Sequence, residues 1–437
     1  MICDSHEGSL VCRAGVNLLP DPTRLVTRPF QPGAENVGPG LSRATPVIDR
    51  ILGLPEDEVV AALDDVERRF GERHRAMRKT FRNAAARVLS TITLEEPLST
   101  ARLVLIGAVF TQECAIEAAA LCNPSVVFAP GSTQAAISGE QDAELVLSVR
   151  GIGEGHRSTI GFRTGRVRVN RSIEIDAPDS FPITVDATDI DSSDGVGASY
   201  RAVFGSGSST VSERVLWPHL GEESSGMEDA RFVRFVDEKG RVTYLGTYTA
   251  FDGSTVRQRL LETVDFVSFT SRSIAGAGAN GKGLAIFPRK INGRYAALTR
   301  SDRESNGVAF SDTLVHWAEP FVIQSPSHAW EIVQLGNCGS PVEVDAGWLV
   351  LTHGVGALRT YSIGALLLDR DDPTKVIGRT STPLITSDIA NPGGYVPNAI
   401  YTCGALVHGD NFVIPYAIAD RSITVSTLSV SALLATM

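Results

Sequence analysis

The chain has 437 residues, 43% of them apolar and 21% charged, with a formal charge of −10. That length suffices for one large core or two smaller ones. No basic stripe runs along it, which argues against a nucleic-acid partner, since phosphodiester binding needs clustered Lys and Arg.

The opening MICDSHEGSL is acidic and lacks the basic flank and apolar stretch of a secretory signal, so a cytoplasmic location is expected. Residues 1–45, rich in Pro, Gly and Thr, show no sustained periodicity and read as an irregular N-terminal arm. Over 46–121 the period becomes helical: Val59, Leu63, Val66 and Phe70 share one face, and LPEDE sets carboxylates at the positive end of a helix dipole. This segment is a candidate surface for homo-oligomer formation. The apolar stretch ARLVLIGAVF continues as TQECAIEAAAL, where Gln112, Glu113 and Glu117 interrupt it short of the roughly 18 apolar residues of a membrane span. It reads as a buried helix, and no membrane partner is expected. The six cysteines, Cys3, Cys12, Cys114, Cys122, Cys338 and Cys403, show neither a CxxC nor a metal-ligand spacing. They read as reduced, mostly buried thiols; Cys114 and Cys122 on one helix would lie roughly 12 Å apart, beyond disulfide reach.

From Asn123 onward, runs of Val, Ile, Thr and Tyr alternate with Gly, Asn and Asp turns, the pattern of short strands. One unit returns five times: a polar residue opens an apolar strand, a turn follows, and a second apolar strand ends on another polar side chain. The first strands open at Asn123, Asp229, Lys282, Asn337 and Asn398, and the second end at Arg150, Tyr248, Arg300, His353 and Asp420. Repeats of this size indicate blades around an axis, here an all-β five-bladed propeller over 122–437 with the helical segment added in front. A long insertion at 166–225, including a helix-like ASYRAVFGSGSSTVSERVL, widens the first interval. If the inner strands line the axis, their opening polar residues converge there.

GMEDAR, Gly226 to Arg231, is the densest polar cluster, with two adjacent carboxylates beside a guanidinium. On its own it could equally be a surface turn with an ion pair. GAGANGKG fits the GxxxxGK core of a nucleotide loop, but Gly283 stands where Ser or Thr is required and a strand follows. Lys282, Arg300 and His353, on neighbouring repeats, could surround an anion. Trp330, Trp348, Tyr361 and Tyr395 suit blade packing and sugar stacking equally. No HExxH, EF-hand or GxSxG pattern occurs, and no metal is expected.

Taken in order, NPS at 123, GMEDAR at 226, YTAFDG at 248, KGLAIFPRKINGRYAALTR at 282, GWLVLTHGV at 347, YSIGALLLDRDDP at 361 and GYVPNAIYTCGAL at 394 resemble glycoside hydrolase family 130. That family comprises mannoside phosphorylases and β-mannosidases on a five-bladed propeller. The resemblance implies that Asp229 is the sole catalytic acid, protonating the glycosidic oxygen through the 3-hydroxyl of the mannosyl unit while phosphate attacks from the other face to give α-mannose 1-phosphate. It implies phosphate binding by Lys282, Arg300 and His353, and substrate binding by Asn123, Arg150, Glu228, Arg231, Tyr248 and Asp420. Phosphate is then a co-substrate beside a β-linked mannosyl oligosaccharide, with no cofactor. Ala230 and Gly283 depart from the family pattern. The alternatives are a β-mannosidase with Glu228 or Glu331 as base, and a non-catalytic glycan-binding propeller.

Overall fold

The computed structural model describes residues 2–3, 10–32, 44–90, 96–191, 195–205, 209–387 and 393–437. Parts of the expected arm, residues 4–9 and 33–43, lie outside them. Internal contacts define two units, one of residues 23–116 with 180–183, the other of residues 1–22, 117–179 and 184–437.

The smaller unit holds helices Ala44–Leu52, Glu56–Phe70, Met77–Leu89 and Thr100–Val109. Val59 and Leu63 are buried, and the partly buried Val66 and Phe70 extend the same face. The last two helices touch at Gly107, where a Cβ would lie 1.8 Å from the Phe81 carbonyl oxygen. The apolar stretch after Ala101 is not one helix. It stops at Val109, and Thr111–Ala115 becomes a strand paired with Leu25–Pro29. Strand Ala120–Phe128 belongs to the larger unit, so Cys114 and Cys122 lie on strands. Both are free and buried, as are Cys338 and Cys403, whereas Cys12 is disulfide-bonded, against the reading of reduced thiols throughout.

The arm is more regular than expected. In Cys12–Leu18 a period-two alternation of Cys12, Ala14, Val16 and Leu18 pairs antiparallel with Ser422–Ser429, joining the start of the chain to its last sheet. Its Gly and Arg content masked that alternation. In the insertion, the stretch read as helix-like forms strands Ser199–Val203 and Val215–Leu216. Buried Tyr200 and Ala202 alternate with exposed Arg201 and Val203, a strand period.

The five expected strand pairs form, although Asn337 closes its strand instead of opening it: Ala120–Phe128 with Ala143–Ile152, Gly226–Val236 with Val242–Phe251, Lys282–Ile286 with Tyr295–Arg300, Gln334–Asn337 with Gly347–Val355, and Ile400–Tyr401 with Asn411–Ile418. The first two share an eleven-stranded sheet, linked where Gly226 pairs with Ser158; the third lies in a four-stranded sheet, and the fourth and fifth in six-stranded ones. Separate apolar clusters lie between neighbours. Leu245, Leu284 and Trp317 pack between the second and third repeats, Phe287, Trp348 and Leu366 between third and fourth, Leu351, Ile363 and Ile414 between fourth and fifth, and Leu145, Leu406 and Val413 between fifth and first. Phe162 meets Phe232 edge-on between first and second.

Candidate active site

The opening strands are interrupted at one recurring position. Their registers shift between Cys122 and Ser125, between Glu228 and Arg231, and between Lys282 and Ala285. Each shift contains a left-handed residue: Asn123 at φ 48, Asp229 at φ 54, Gly283 at φ 97. Such a bulge inserts one extra residue and re-aims its side chain, and Asn, Asp and Gly are the residues that tolerate the conformation best. Gly283, a departure from the family pattern, thus occupies the Asp229 position of its own repeat, and Lys282 corresponds to Glu228.

The pairing beside the bulge sets the facing residues. Cys122 pairs with Arg150, Glu228 with Thr249, Lys282 with Arg300 and Gly336 with His353. The second repeat therefore presents Thr249, not Tyr248, as the counterpart of Arg150, Arg300 and His353. A one-residue slip on a strand reverses the face. Tyr248 is fully buried away from the cavity, where its hydroxyl donates to Glu223 and accepts from Arg259 Nε at 3.1 Å.

A cavity of about 200 Å3 is lined by Asn123, Arg150, Asp229, Lys282, Arg300, His353 and Asp420, together with Arg359, Tyr361, Val396, Ala399 and Tyr401. Seven of the ten residues expected at the site thus line one cavity, and Glu228 and Arg231 contact its lining residues Arg150, Lys282 and Asp229. Asp229 Oδ1 accepts from Asn123 Nδ2 at 2.5 Å and from Arg150 Nη1 at 3.1 Å. Arg231 lies 3.9 Å from Oδ2, donates to the Asp229 carbonyl at 2.8 Å and to Tyr401 Oη at 3.1 Å. Glu228 bridges Arg150 at 2.6 Å and Lys282 at 2.7 Å. Arg300 donates to His353 Nε2 at 2.9 Å.

Burial opposes the charge on Asp229, but Arg150, then Arg231 and Lys282, with the Asn123 amide, outweigh it and hold the carboxyl below its ordinary range. Asp420 goes the other way: burial, with Asp229 nearby, pushes it up to about 6 against the pull of Arg150 and Arg359. Burial and then Arg300 drive His353 well below its ordinary value, so it is a neutral imidazole. Of the three groups expected around an anion, only Arg300 therefore offers a positive charge without a carboxylate partner among the described residues.

Neither proposed water-activating base is available. Glu228 is held by two cations, and Glu331 is fully buried, capping Ser327 and His328 and pairing with Arg379 at 3.0 Å. Among the four aromatics, Trp348 is core packing and Tyr361 lines the cavity; Trp330 lies against Gly354 and Gly364, and Tyr395 is exposed. Tyr401 and Arg359 were missed. Tyr401 could have been found, three residues after the fifth opening residue, left-handed Asn398; Arg359 sits in a turn whose sequence carries no signal. The glycine-rich stretch before Lys282 forms a single 3-10 turn, Ala277–Ala279, and leads into a strand. Among the described residues no group of three His, Cys, Asp or Glu could hold a metal.

Residues 201–437 match the model of the glycoside hydrolase 130 family, described as beta-1,4-mannooligosaccharide phosphorylase. The chain is 32% identical over 209 residues to a 1,2-beta-oligomannan phosphorylase of Thermoanaerobacter sp. (strain X514), covering 47% of this chain and 69% of that protein. It is 31% identical to a beta-1,2-mannobiose phosphorylase of Listeria innocua, covering 50% of this chain and 62% of that one. The structure of beta-1,2-mannobiose phosphorylase from Listeria innocua with beta-1,2-mannobiose superposes with TM-score 0.51 at 21% identity, over 74% of this chain and 92% of that one. The bulged acidic strand, the cavity it faces and the matched residues 201–437 agree, and the chain belongs to glycoside hydrolase family 130.

Proposed function

We propose that the protein is an inverting β-mannoside phosphorylase, cleaving short β-mannosides with phosphate to give α-mannose 1-phosphate. Asp229 is the acid: its proton passes through the sugar 3-hydroxyl to the glycosidic oxygen, the C1–O bond breaks, and a phosphate oxygen bonds to C1 from the opposite face. One carboxylate suffices, because phosphate is already a nucleophile and needs no base, unlike the water of an inverting hydrolase. Asn123, Arg150 and Asp420 line the sugar side, with Glu228 and Arg231 orienting it from behind. Lys282, Arg300 and His353 face phosphate, His353 as a neutral hydrogen-bonding ring.

The observation that carries this reading is Asp229, with Asp420 across from it, sharing a cavity with Arg150, Lys282, Arg300 and Arg359 while both candidate water-activating carboxylates, Glu228 and Glu331, are tied up. The same charges explain the order of events. With its cations uncompensated, Asp229 stays ionised; a bound phosphate dianion offsets them and raises its pKa toward the protonated form that an acid needs. The test is incubation with β-1,2- and β-1,4-mannobiose, with and without phosphate, assaying mannose 1-phosphate. Release of free mannose at a phosphate-independent rate overturns the phosphorylase in favour of the hydrolase, and binding without product favours the non-catalytic alternative.

The same proposal closes the five repeats into a propeller. Its support is the succession of apolar clusters joining each sheet to the next and the fifth to the first. No helix among the described residues is long and apolar enough to cross a membrane. We place the reaction in the cytoplasm, where the sugar phosphate is retained, and assign oligomer contacts to the helical unit, which light scattering on the full chain would test.

A further inference from the structure

We propose that Arg359, a residue outside every recognisable motif, is a phosphate-binding residue that completes the anion side of the cavity. The inference rests on the phosphorylase reading above.

Charge accounting comes first. Five cations, Arg150, Arg231, Lys282, Arg300 and Arg359, line or back the cavity against three carboxylates, Glu228, Asp229 and Asp420. Arg150, Arg231 and Lys282 each lie within 4.0 Å of Glu228 or Asp229. Arg300 and Arg359 have no carboxylate at ion-pair distance among the described residues, although the charge of Arg359 reaches Asp420 across the cavity. The excess of two positive charges is the complement of a phosphate dianion, and without Arg359 it falls to one. A planar guanidinium offers paired donors that match two phosphate oxygens.

The backbone supplies an independent argument. The turn Ala357–Arg359 holds two successive non-glycine residues in the left-handed region, Leu358 at φ 54 and Arg359 at φ 54. An equivalent turn in the first repeat, Glu154–His156, has the same shape: Gly153 at φ −110 and ψ −150 matches Gly356 at φ −106 and ψ −158, and Gly155 and His156 are left-handed at φ 68 and φ 56. There the first left-handed position is glycine, which adopts it freely. Leu358 does not, and at 89% exposure it gains no burial in return. Strain unsupported by local packing belongs to what the turn presents. In the first repeat that is His156, bonded to Tyr395 Oη at 3.0 Å; in the fourth it is Arg359, on the cavity wall beside Tyr361.

The test compares wild type, Arg359→Ala and Arg359→Lys on whichever β-mannobiose the wild type turns over, varying phosphate and disaccharide separately. Arg359→Ala should raise KM for phosphate about tenfold or more, leave KM for the disaccharide within about twofold and leave the melting temperature unchanged, with Arg359→Lys intermediate. Calorimetric titration with inorganic phosphate should show the same weakening without turnover. The proposal is overturned if phosphate affinity stays within about twofold, or if the disaccharide KM rises instead. Failure of the underlying reading is separate: the wild type would then neither bind phosphate nor depend on it.

Discussion

Two buried ionic clusters occupy opposite faces of the hairpin formed by Gly226–Val236 and Val242–Phe251. On one face Asn123, Arg150, Glu228, Asp229 and Lys282 meet at the cavity; on the other, Tyr200, Glu223, Tyr248, Arg259 and Ser271 form a sealed network. In the sealed network the side-chain polar atoms find partners within the protein. Around the cavity, Asn123 Oδ1, Thr249 Oγ1 and Asn337 Oδ1 are buried without a hydrogen bond. Unmatched polar atoms in low dielectric are expensive, so a fold that keeps them on one face and eliminates them on the other separates a face built for a ligand from one built for stability.

The contrast is broken most sharply at its acid. Asp229→Asn should lower kcat for phosphorolysis by about three to four orders of magnitude with little change in substrate KM; because the fold holds this carboxyl below its ordinary range, the variant also loses stability at neutral pH, so activity is compared on folded protein at low temperature. A residual rate within tenfold of wild type would move the acid elsewhere. The mirror experiment is Arg259→Met. It leaves Glu223 and the Ala198 carbonyl without their cation and Glu222 with Arg257 alone, and should destabilise the fold by about 3–5 kcal/mol in urea melts while folded protein at low temperature keeps most of its activity. Loss of turnover with unchanged stability would show that the sealed face takes part in chemistry.

The sequence showed one of these faces and hid the other. Asn123, Asp229, Lys282, Arg300 and His353 were legible because the strand repeat returns them to equivalent places. Tyr248 was misplaced because the bulge at Asp229 adds a residue that periodicity cannot count, and a slip of one position reverses the face. The sealed network left no sequence trace, since Glu223, Arg259 and Ser271 come from a turn and two outer strands. The strands at Cys12–Leu18 and Ser199–Val203 were missed because tertiary pairing, to Ser422–Ser429 and Ser268–Ser273, selects an alternation too short to stand out alone.

A smaller effect is expected at Asp420, whose pKa moves opposite to that of Asp229 in the same cavity. In the unfolded chain it ionises in the ordinary carboxylate range, whereas the fold holds its proton up to about 6. Between those values the folded state binds more protons, so this group removes stability as pH rises through the interval. Asp420→Asn lacks that penalty. It should be the more stable protein at neutral pH, by up to about 3 kcal/mol, and lose most of the advantage near pH 4, where the wild-type carboxyl is protonated in the folded state and about half protonated in the unfolded one. Urea melts at the two pH values measure this, and an advantage independent of pH would show that amide packing, not charge, is responsible.

The smallest effect tests the two turns that share a shape. Gly155 occupies a left-handed position freely, and Leu358 occupies its counterpart with a Cβ that crowds the following carbonyl at about 1 kcal/mol. Because Leu358 is 89% exposed, Leu358→Gly removes that strain and forfeits almost no apolar burial, although it adds chain entropy to the unfolded state. The balance should favour the variant by a few tenths of a kcal/mol, read as a slightly higher urea midpoint. The turn would then hold Arg359 by glycine geometry, as the first repeat holds His156, and KM for phosphate should stay near its wild-type value. A lower midpoint would mean that the leucine side chain makes a stabilising contact, and the turn of the fourth repeat would no longer be a strained copy of the first.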